Sequence, residues 1–441
     1  MSILHRLFHW LGKITNTIII VPHPIAVGNC GEEIYYGLLK ARREKKKLVV
    51  LYPYDLTGRM RLGVPNRELI RFSSEYRVFL PSNPLYPLCC WFITLYFGFF
   101  RGMHIISTRY FGKQFTERWI IPMLGQELLW QPEPVMQEFS WEVVNAYDWK
   151  SQTAEPLEIG LSPDRQVIAE RLRSELGLPA DAWFVCVHVR EGGYYNDHDM
   201  VERNASIKNY IPAMREITRR GGWVVRMGDK TMTPLPAMEH VIDYPFTPQK
   251  SELMDLYLIK ECRVYIGMQS GILDVANMYQ RPIIQTNMYN WLHGHPEKRG
   301  DLGIMKRVYS KSEKRFLAPT EWMSREWANY SFVPRENYEF HENTPEEILD
   351  LIKEYFDRGV DWQPSPEQLA FNKLRKEKMI ERLSRPLSAE KRTDDIQSRY
   401  RFAARAASTQ GMLAAGFLKK YTPVAESQGE AGICDMIEGQ R

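Results

Sequence analysis

The sequence predicts an α/β protein with two domains, each built around an open and mostly parallel sheet. The chain of 441 residues is too long for one ordinary hydrophobic core. A strand, a helix and a second strand follow one another near the N-terminus, and four apolar strands alternate with helices in the second half. Such alternation is typical of parallel sheets that carry helices on both faces.

The N-terminal part is predicted to be an amphipathic helix followed by a β-α-β unit. Residues Met1–Ile14 place apolar side chains at helical spacing, with two basic residues off that stripe. Such a helix either lies on an anionic bilayer or docks on its own protein. Thr17–Val21 and Lys47–Tyr52 are predicted strands, joined by a helix that runs through Arg42.

An uncharged, aromatic-rich segment follows at Pro84–Phe100. It is 17 residues long and broken by Pro87. It therefore falls short of the roughly 20 apolar residues that span a bilayer. Two interpretations remain open: a buried helix, or a hydrophobic shoulder that dips into the bilayer near the acceptor site.

The second half is predicted to hold a second α/β unit. The predicted strands are Trp183–Val189, Trp223–Met227, Val264–Gly267 and Pro282–Thr286. The predicted helices are Arg203–Arg220, Ser251–Lys260, Ile272–Tyr279 and the amphipathic Thr344–Phe356. Beyond Asp361 we expect a solvent helix over Glu367–Leu383 and then a loosely ordered end.

These patterns divide the chain into four parts. Residues 1–14 form the N-terminal helix, residues 15–160 a Rossmann-like domain for the acceptor, and residues 161–360 a second such domain for the donor. Residues 361–441 form a tail that is helical at first.

Composition excludes several classes of protein. A formal net charge of +4 is too mild for a typical nucleic-acid binder. Six cysteines without a CxxC pair or zinc spacing favour a reducing compartment. The first residues lack the features of a secretory signal. We therefore expect a cytoplasmic protein that is either free or peripheral on the inner membrane face.

Polar residues follow the first strand of the second half, where ligands bind in open α/β sheets. This strand ends in His188 and is followed closely by Arg190 and two glycines. The guanidinium of Arg190 either binds a pyrophosphate with two parallel hydrogen bonds or pairs with a surface carboxylate.

The next strand contains Arg226 and leads into Asp229. A charge inside an apolar strand must find a partner, which for Arg226 is Asp229, Asp243 or a ligand. Asp229 is expected either to contact a base or ribose or to cap its own loop.

The third strand turns through Met268–Gly271 into a helix. Backbone N–H groups at a helix N-terminus form a site for an anion. Ser270 adds a hydroxyl to that site or acts as the N-cap of the helix.

At these motifs the chain resembles a bacterial family of surface-polysaccharide glycosyltransferases that is distantly similar to fucosyltransferases with an H-x-R motif. The resemblance covers about Trp183–Asn290, with the segments FVCVHVREGGY, RGGWVVRMGD and CRVYIGMQSG, and ENTPEEI at Glu342–Ile348 also fits. It implies a GT-B fold, in which two Rossmann-like domains face each other across a cleft. It also implies a nucleotide-sugar donor bound by the C-terminal domain and no required metal or other cofactor.

The resemblance assigns roles by position. Arg190 would neutralise the leaving diphosphate, and Ser270 and Gly271 would seat the phosphates from the helix end. The donor pocket would further contain His188, Arg203, Asn204, Asp229, Gln269 and Asn287.

Two departures bear on donor and acceptor identity. Relatives commonly carry a G-T-S-S-G-like turn, where this chain has Gly267–Gly271, and many carry a glycine-histidine pair where it has Gly28 and Asn29. Gly28 and Asn29 would lie on the acceptor side.

An inverting transferase needs a base for the acceptor hydroxyl. Glu32 and Glu33 open a predicted helix, and relatives carry an acidic residue near this place. They are therefore expected at the crevice mouth, with Glu33 preferred as the base. The alternative is that they serve only the helix dipole.

Two further clusters resemble metal ligands. Asp197-His198-Asp199 is similar to the DxD motif of GT-A enzymes, and His293 and His295 form a loop pair. Because the H-x-R strand already supplies positive charge, we expect no metal at either place.

The sequence thus favours transfer of a sugar from a nucleotide-sugar donor to a glycan, lipid-linked or protein acceptor in surface-glycan synthesis. Two alternatives are a nucleotide-sugar epimerase with a similar donor domain, and a peripheral membrane scaffold with a degenerate transferase domain.

Overall fold

The computed structural model of the protein describes most of the chain. The described residues are 3–22, 27–54, 65–111, 157, 159–192, 201–289, 296–323, 325, 336–384 and 409–422.

The N-terminal unit contains two strands and three helices in the described residues. These are α1 (Ile3–Thr15), β1 (Thr17–Ile20), α2 (Val27–Arg43), β2 (Lys47–Val50) and α3 (Tyr86–Phe111). Strands β1 and β2 pair in parallel, in register from Thr17 with Lys47 to Ile20 with Val50. The predicted β-α-β opening is confirmed.

Both faces of this small sheet are covered. Side chains alternate between the two faces of a strand, so successive residues of β2 pack on different helices. Leu48 and Val50 are buried with residues of α2. Val49 and Leu51 are buried with residues of α1 and α3. The sheet therefore forms the middle of three layers.

The second unit is built on a large parallel sheet. In order along the chain, its strands and those of a small neighbouring sheet are β3 (Phe184–His188), β4 (Trp223–Arg226), β5 (Val241–Asp243), β6 (Val264–Gly267), β7 (Ile283–Met288), β8 (Leu302–Met305), β9 (Arg307–Ser310), β10 (Arg315–Phe316), β11 (Tyr338–His341) and β12 (Met412–Leu413). Among the described residues the large sheet has seven parallel strands in the order β12-β8-β7-β6-β3-β4-β5. Strands β9, β10 and β11 form an antiparallel sheet of their own.

Helices cover both faces of the large sheet. They are α4 (Pro163–Glu175), α5 (Ile211–Arg219), α6 (Glu252–Glu261), α7 (Gly271–Met278), α8 (Pro319–Met323), α9 (Pro345–Asp357), α10 (Pro366–Ser384) and α11 (Ala415–Tyr421). Residues of α4, α6 and α7 share one core cluster with α2. Residues of α5, α9, α10 and α11 share the cluster on the opposite face. The α/β class and the parallel sheet are confirmed, and the arrangement is consistent with a GT-B fold.

The strand order reverses between β3 and β6. The chain leaves β3 toward β4 and β5 at one edge and then returns to β6 on the other side of β3. His188, the last residue of β3, is in register with Gly267, the last residue of β6. This reversal is the topological switch point, where open α/β sheets bind their ligands.

The two units meet where α2 packs on α7. A Cβ atom added at Gly28 would lie 2.6 Å from the Cα of Gly271 and 2.4 Å from Oδ2 of Asp274. The two helices therefore approach at a pair of glycines, beside the switch point.

The region past Asp361 differs from the expected tail. Helix α10 is present, but it is not a solvent helix, because Gln368, Phe371 and Arg375 are buried. The side chain of Gln368 donates to the Leu413 carbonyl oxygen over 2.6 Å, and β12 pairs with β8. Residues 409–422 thus contribute β12, an edge strand of the large sheet. The predicted domain bounds stay predictions.

Helix α3 is longer than the predicted uncharged segment and continues to Phe111. Within the described residues, no helix combines the length and the apolar character needed to cross a membrane.

We expect Gly28→Ala to destabilise the fold, because the added methyl group must push α2 away from α7. The cost of such overpacking is about 1–3 kcal/mol. A matched control is Gly102→Ala in α3, where an added Cβ meets nothing within 4 Å. This change should raise stability by about 0.5–1 kcal/mol through the lower helix propensity of glycine. Urea unfolding of both variants measures the difference, and equal stabilities would contradict the packing described for Gly28.

Candidate active site at the switch point

The ends of β3 and β6 are joined by a side-chain contact. Nδ1 of His188 lies 3.2 Å from Oγ of Ser270. His188 is 6% exposed. The two segments that the sequence placed at one edge of the sheet are therefore in direct contact.

Ser270 occupies the N-cap position of α7, but its hydroxyl makes no capping hydrogen bond to that helix. The hydroxyl instead faces His188. The first N–H groups of α7 and the positive end of its dipole lie directly behind Ser270.

Arg203 and Asn204 lie close to the turn between β6 and α7 and to Gly192. Nη2 of Arg203 donates to the carbonyl oxygen of Gln269 over 3.3 Å. A Cβ atom at Gly192 would lie 3.0 Å from Nδ2 of Asn204, so the glycine permits this approach. Arg203, Asn204 and Gln269 are thereby brought to the same edge as Ser270.

Arg190 follows β3 and is 8% exposed. Its carbonyl oxygen accepts a hydrogen bond of 3.0 Å from the Ala205 N–H. Its positive charge acts on the neighbouring His188 and lowers the pKa of that ring. Arg190 therefore belongs to the cluster.

His188 is neutral at pH 7. Burial is the main cause that lowers its pKa to about 4, and the charges of Arg226, Arg190 and Lys250 lower it further, against the opposite effect of Asp229. A neutral imidazole forms a hydrogen bond with the Ser270 hydroxyl, as donor or acceptor, without adding a charge to the site. The charges that act on the ring belong to Arg226, Arg190, Lys250 and Asp229, so these side chains lie near the switch point.

Arg226 and Asp229 have structural partners. Nη1 of Arg226 donates to Oδ1 of Asp243 over 2.8 Å, and Nη2 to the Thr233 carbonyl oxygen over 3.1 Å. Oδ1 of Asp229 accepts from the backbone N–H of Thr231 at 2.8 Å and from its hydroxyl at 2.5 Å. Of the alternatives left open by the sequence, pairing with Asp243 and capping of the loop are the ones observed.

Asn287 does not face a ligand site as the resemblance implied. It is 1% exposed and has a φ of 50°. Its N–H donates to Oδ1 of Asn343 over 2.6 Å, and its own Oδ1 accepts from the Asn343 N–H over 2.8 Å. Its amide nitrogen donates to the hydroxyl of Tyr210 over 3.0 Å. Asn287 is therefore part of the buried framework.

Glu32 and Glu33 do not line an open crevice mouth. Glu32 is 4% exposed and Glu33 is fully buried. Both lie in α2, which packs between the small sheet and α7. This burial is contrary to the expectation for a base that receives a proton from an acceptor. Gly28 lies at the contact with α7, and the side chain of Asn29 is outside the described part.

The two candidate metal clusters, Asp197-His198-Asp199 and the pair His293 and His295, lie outside the described residues.

Lys306 is a residue of this edge that the sequence reasoning missed. It follows β8 and is 4% exposed. Its ammonium donates to the Asn204 carbonyl oxygen over 2.6 Å. Burial lowers the pKa of Lys306 to about 8, although the charges of Glu342 and Glu202 act in the opposite direction. The signal was available, because a basic residue that ends an apolar strand is also what identified Arg190.

A cavity of about 380 Å³ lies elsewhere, near the N-terminus of α6. Each of its three arginines forms an ion pair with a carboxylate of the same lining: Arg165 and Arg71 with Glu68, and Arg67 with Glu252.

No protein-family model and no curated protein matches the chain. Several solved structures match parts of it, among them the following three. A glycosyl transferase of family 9 from Veillonella parvula has 11% identity and a TM-score of 0.32, over 60% of this chain and 79% of that chain. The E. coli ADP-heptose LPS heptosyltransferase II has 12% identity and a TM-score of 0.35, over 76% and 98%. A UDP-GlcNAc 2-epimerase from Methanocaldococcus jannaschii has 11% identity and a TM-score of 0.22, over 64% of each chain.

We expect His188 to make stability depend on pH. Its pKa in the folded protein, about 4, is below the ordinary value of 6.5. Between these values the unfolded chain binds the proton more strongly, so stability is full above pH 6.5 and falls toward pH 4, by on the order of 3 kcal/mol. The variant His188→Gln lacks this titration. Urea unfolding between pH 7 and the acid limit of folding should therefore show a steeper loss for the wild type, and parallel curves would contradict the assignment.

Proposed function

We propose that the protein is a glycosyltransferase whose nucleotide-sugar donor binds with its diphosphate at the switch point between β3 and β6. The observation that carries the proposal is the convergence of Arg190, Arg203 and the start of α7 around the contact between His188 and Ser270. These groups come from three separate segments of the chain. The fold brings them to the edge of the sheet where ligands bind.

Each group has a role in holding a diphosphate. A guanidinium presents N–H groups in a fork that matches two phosphate oxygens, which Arg190 and Arg203 would supply. The backbone N–H groups at the start of α7 and the hydroxyl of Ser270 would bind further oxygens. Neutral His188 would orient that hydroxyl. Lys306 positions the backbone that carries Asn204, beside Arg203.

The reaction breaks the bond between the anomeric carbon and the diphosphate oxygen. A bond forms between that carbon and the acceptor oxygen, and the acceptor hydroxyl proton passes to a base. The negative charge that develops on the leaving diphosphate is stabilised by the arginines and the dipole of α7. This charge is greater in the transition state than in the bound donor, so the same contacts accelerate the step.

The finer features of the proposal rest on the resemblance. His188 and Arg190 stand at the positions of the H-x-R motif, which supports a metal-independent, inverting transfer to a glycan, lipid-linked or protein acceptor of a bacterial surface. Glu32 and Glu33 are buried, so the proposal assigns the base to neither of them.

A panel of nucleotides and nucleotide sugars tests the proposal. We expect one nucleotide series to raise the melting temperature of the full chain, and the matching sugar donor to release free nucleotide slowly in water and faster with acceptor. Conversion of the sugar without nucleotide release would instead indicate an epimerase. Absence of stabilisation by every member of the panel would indicate a scaffold and refute the enzyme.

Arg190→Ala should lower kcat/KM for donor hydrolysis by about a hundredfold or more, because one phosphate-binding group is lost from the transition state. Arg190→Lys should recover part of the loss, since an ammonium keeps the charge but not the fork. The control is Arg171→Ala, which removes an arginine that is 70% exposed on α4. Wild-type turnover in Arg190→Ala would place the phosphate site elsewhere.

Chelation of divalent metal should leave turnover unchanged, because guanidinium groups and helix N–H groups balance the diphosphate charge in this proposal. Donor hydrolysis is measured before and after EDTA treatment and again after Mg²⁺ or Mn²⁺ is added. A loss with EDTA that metal restores would revive Asp197 and Asp199 as ligands, and the variant Asp199→Asn would then be the next comparison.

A further inference from the structure

Helix α3 carries a continuous apolar stripe on its outer side. Its members recur every three or four residues, so they lie on one face of the helix. Their exposed fractions run from 40% at Met103 to 72% at Tyr110. The stripe consists of Leu85, just before the helix, and Leu88, Phe92, Leu95, Phe99, Met103, Ile106 and Tyr110. At 1.5 Å per residue it extends for about 37 Å.

The opposite face of α3 is fixed to the protein at its N-terminal end. Tyr86, Cys90 and Ile93 are buried in a cluster with Phe8 of α1. The hydroxyl of Tyr86 donates to the carbonyl oxygen of Val50 in β2. The stripe is therefore presented by a rigid support and is not the inward face of a displaced helix.

The second half of α3 is open on the flank that carries Gly98 and Gly102. A Cβ atom added at Gly98 or at Gly102 would meet nothing within 4 Å. The apolar side chains at Phe99, Met103 and Ile106 are all exposed. Isolated exposed apolar residues are ordinary, but an uninterrupted stripe marks a contact surface.

Helix α1 also exposes apolar side chains, and both helices carry charge of one sign. Trp10 and Ile14 of α1 are 57% and 65% exposed. The segments 3–15 and 80–111 contain no acidic residue, while their basic residues are Arg6, Lys13, Arg101 and Arg109. The described side chains of Lys13 and Arg109 are exposed.

We propose that α1 and α3 form a surface that docks on a lipid bilayer with anionic headgroups, with α3 lying in the plane of the interface. The apolar stripe would enter the boundary between headgroups and acyl chains, and the basic residues would contact the lipid phosphates. Aromatic side chains such as Trp91 suit this depth, because their rings are at once apolar and polar.

Charge and geometry favour a bilayer over other occupants. A second copy in a two-fold contact would bring the same basic helices together, with no carboxylate on either side to offset the repulsion. A span across the bilayer would need lipid contact all round α3, whereas one face is bound to the small sheet. A helix that lies in the plane of the interface needs only one apolar face toward the lipid, so the opposite face of α3 stays bound to the protein.

Vesicle flotation of the full chain tests this surface. We expect binding to vesicles of phosphatidylcholine with phosphatidylglycerol, and weaker binding to phosphatidylcholine alone. The double variant Leu95→Glu and Phe99→Glu should lower the partition coefficient by about tenfold or more, since two inserted side chains become charged. The matched control is Val167→Glu with Leu369→Glu, two residues of comparable exposure on α4 and α10. This control should bind like the wild type.

A separate pair of changes addresses the charges. Lys13→Glu with Arg109→Glu should weaken binding to the anionic vesicles and reduce its dependence on salt, while binding to phosphatidylcholine alone stays as in the wild type. This arm does not alter the apolar stripe, so it remains decisive if the stripe variant fails to fold.

Three results would overturn the proposal: no flotation of the wild type with anionic vesicles, equal losses for the stripe variant and its control, or a dimer in light scattering that the stripe variant dissociates. The last result would identify a second copy as the occupant. Nucleotide release without vesicles should be unchanged in the stripe variant, so failure of the membrane proposal is distinguishable from failure of the sugar-transfer proposal.

Discussion

The reciprocal contact between Asn287 and Asn343 fixes the edge of the sheet on which the candidate site depends. Each backbone N–H donates to the side-chain oxygen of the other residue, over 2.6 and 2.8 Å. The pair holds Asn287 at a φ of 50°, beside the register shift in β7. From there a buried chain of hydrogen bonds runs through Tyr210 and Thr286 to the carbonyl oxygen of Gly267, where the turn before α7 begins. A leaving-group site needs donors that are already in place, and this network holds the turn without using any ligand.

The positions of the carboxylates determine which cations near the switch point form ion pairs. Arg226 is inside the sheet and pairs with Asp243 and Glu191, while Arg190 follows the end of the neighbouring strand β3. The ring of His188 stays neutral mainly because it is buried, and the charges of Arg226 and Arg190 lower its pKa further. The cations and carboxylates of this edge thus belong to several separate segments of the chain, which the fold brings together.

The sequence predicted the parts of this structure that depend on local pattern. Strand β6 was predicted with its observed bounds, and α9 was found from its capping box, because both signals lie within a few residues. Strand β12 has only two residues and depends on its pairing with β8, which no local pattern reveals. The role of Asn287 was missed for the same reason, since its partner Asn343 is 56 residues away. Glu33 was placed at the crevice because its position near a helix start is local, whereas its burial depends on the packing of α2 between two layers.

Helix α2 connects the two surfaces for which functions are proposed. At its start, Gly28 lies against Gly271 at the switch point. Along its length it packs on β1 and β2, whose other face carries α1 and α3. Helix α3 itself, the small sheet and α2 therefore lie between the apolar stripe and the donor edge. A bilayer bound at α3 would hold the donor edge above the lipid by the thickness of these layers, where it would meet an acceptor that extends from a lipid anchor. The packing of α2 would then determine whether the anchored acceptor and the bound donor meet.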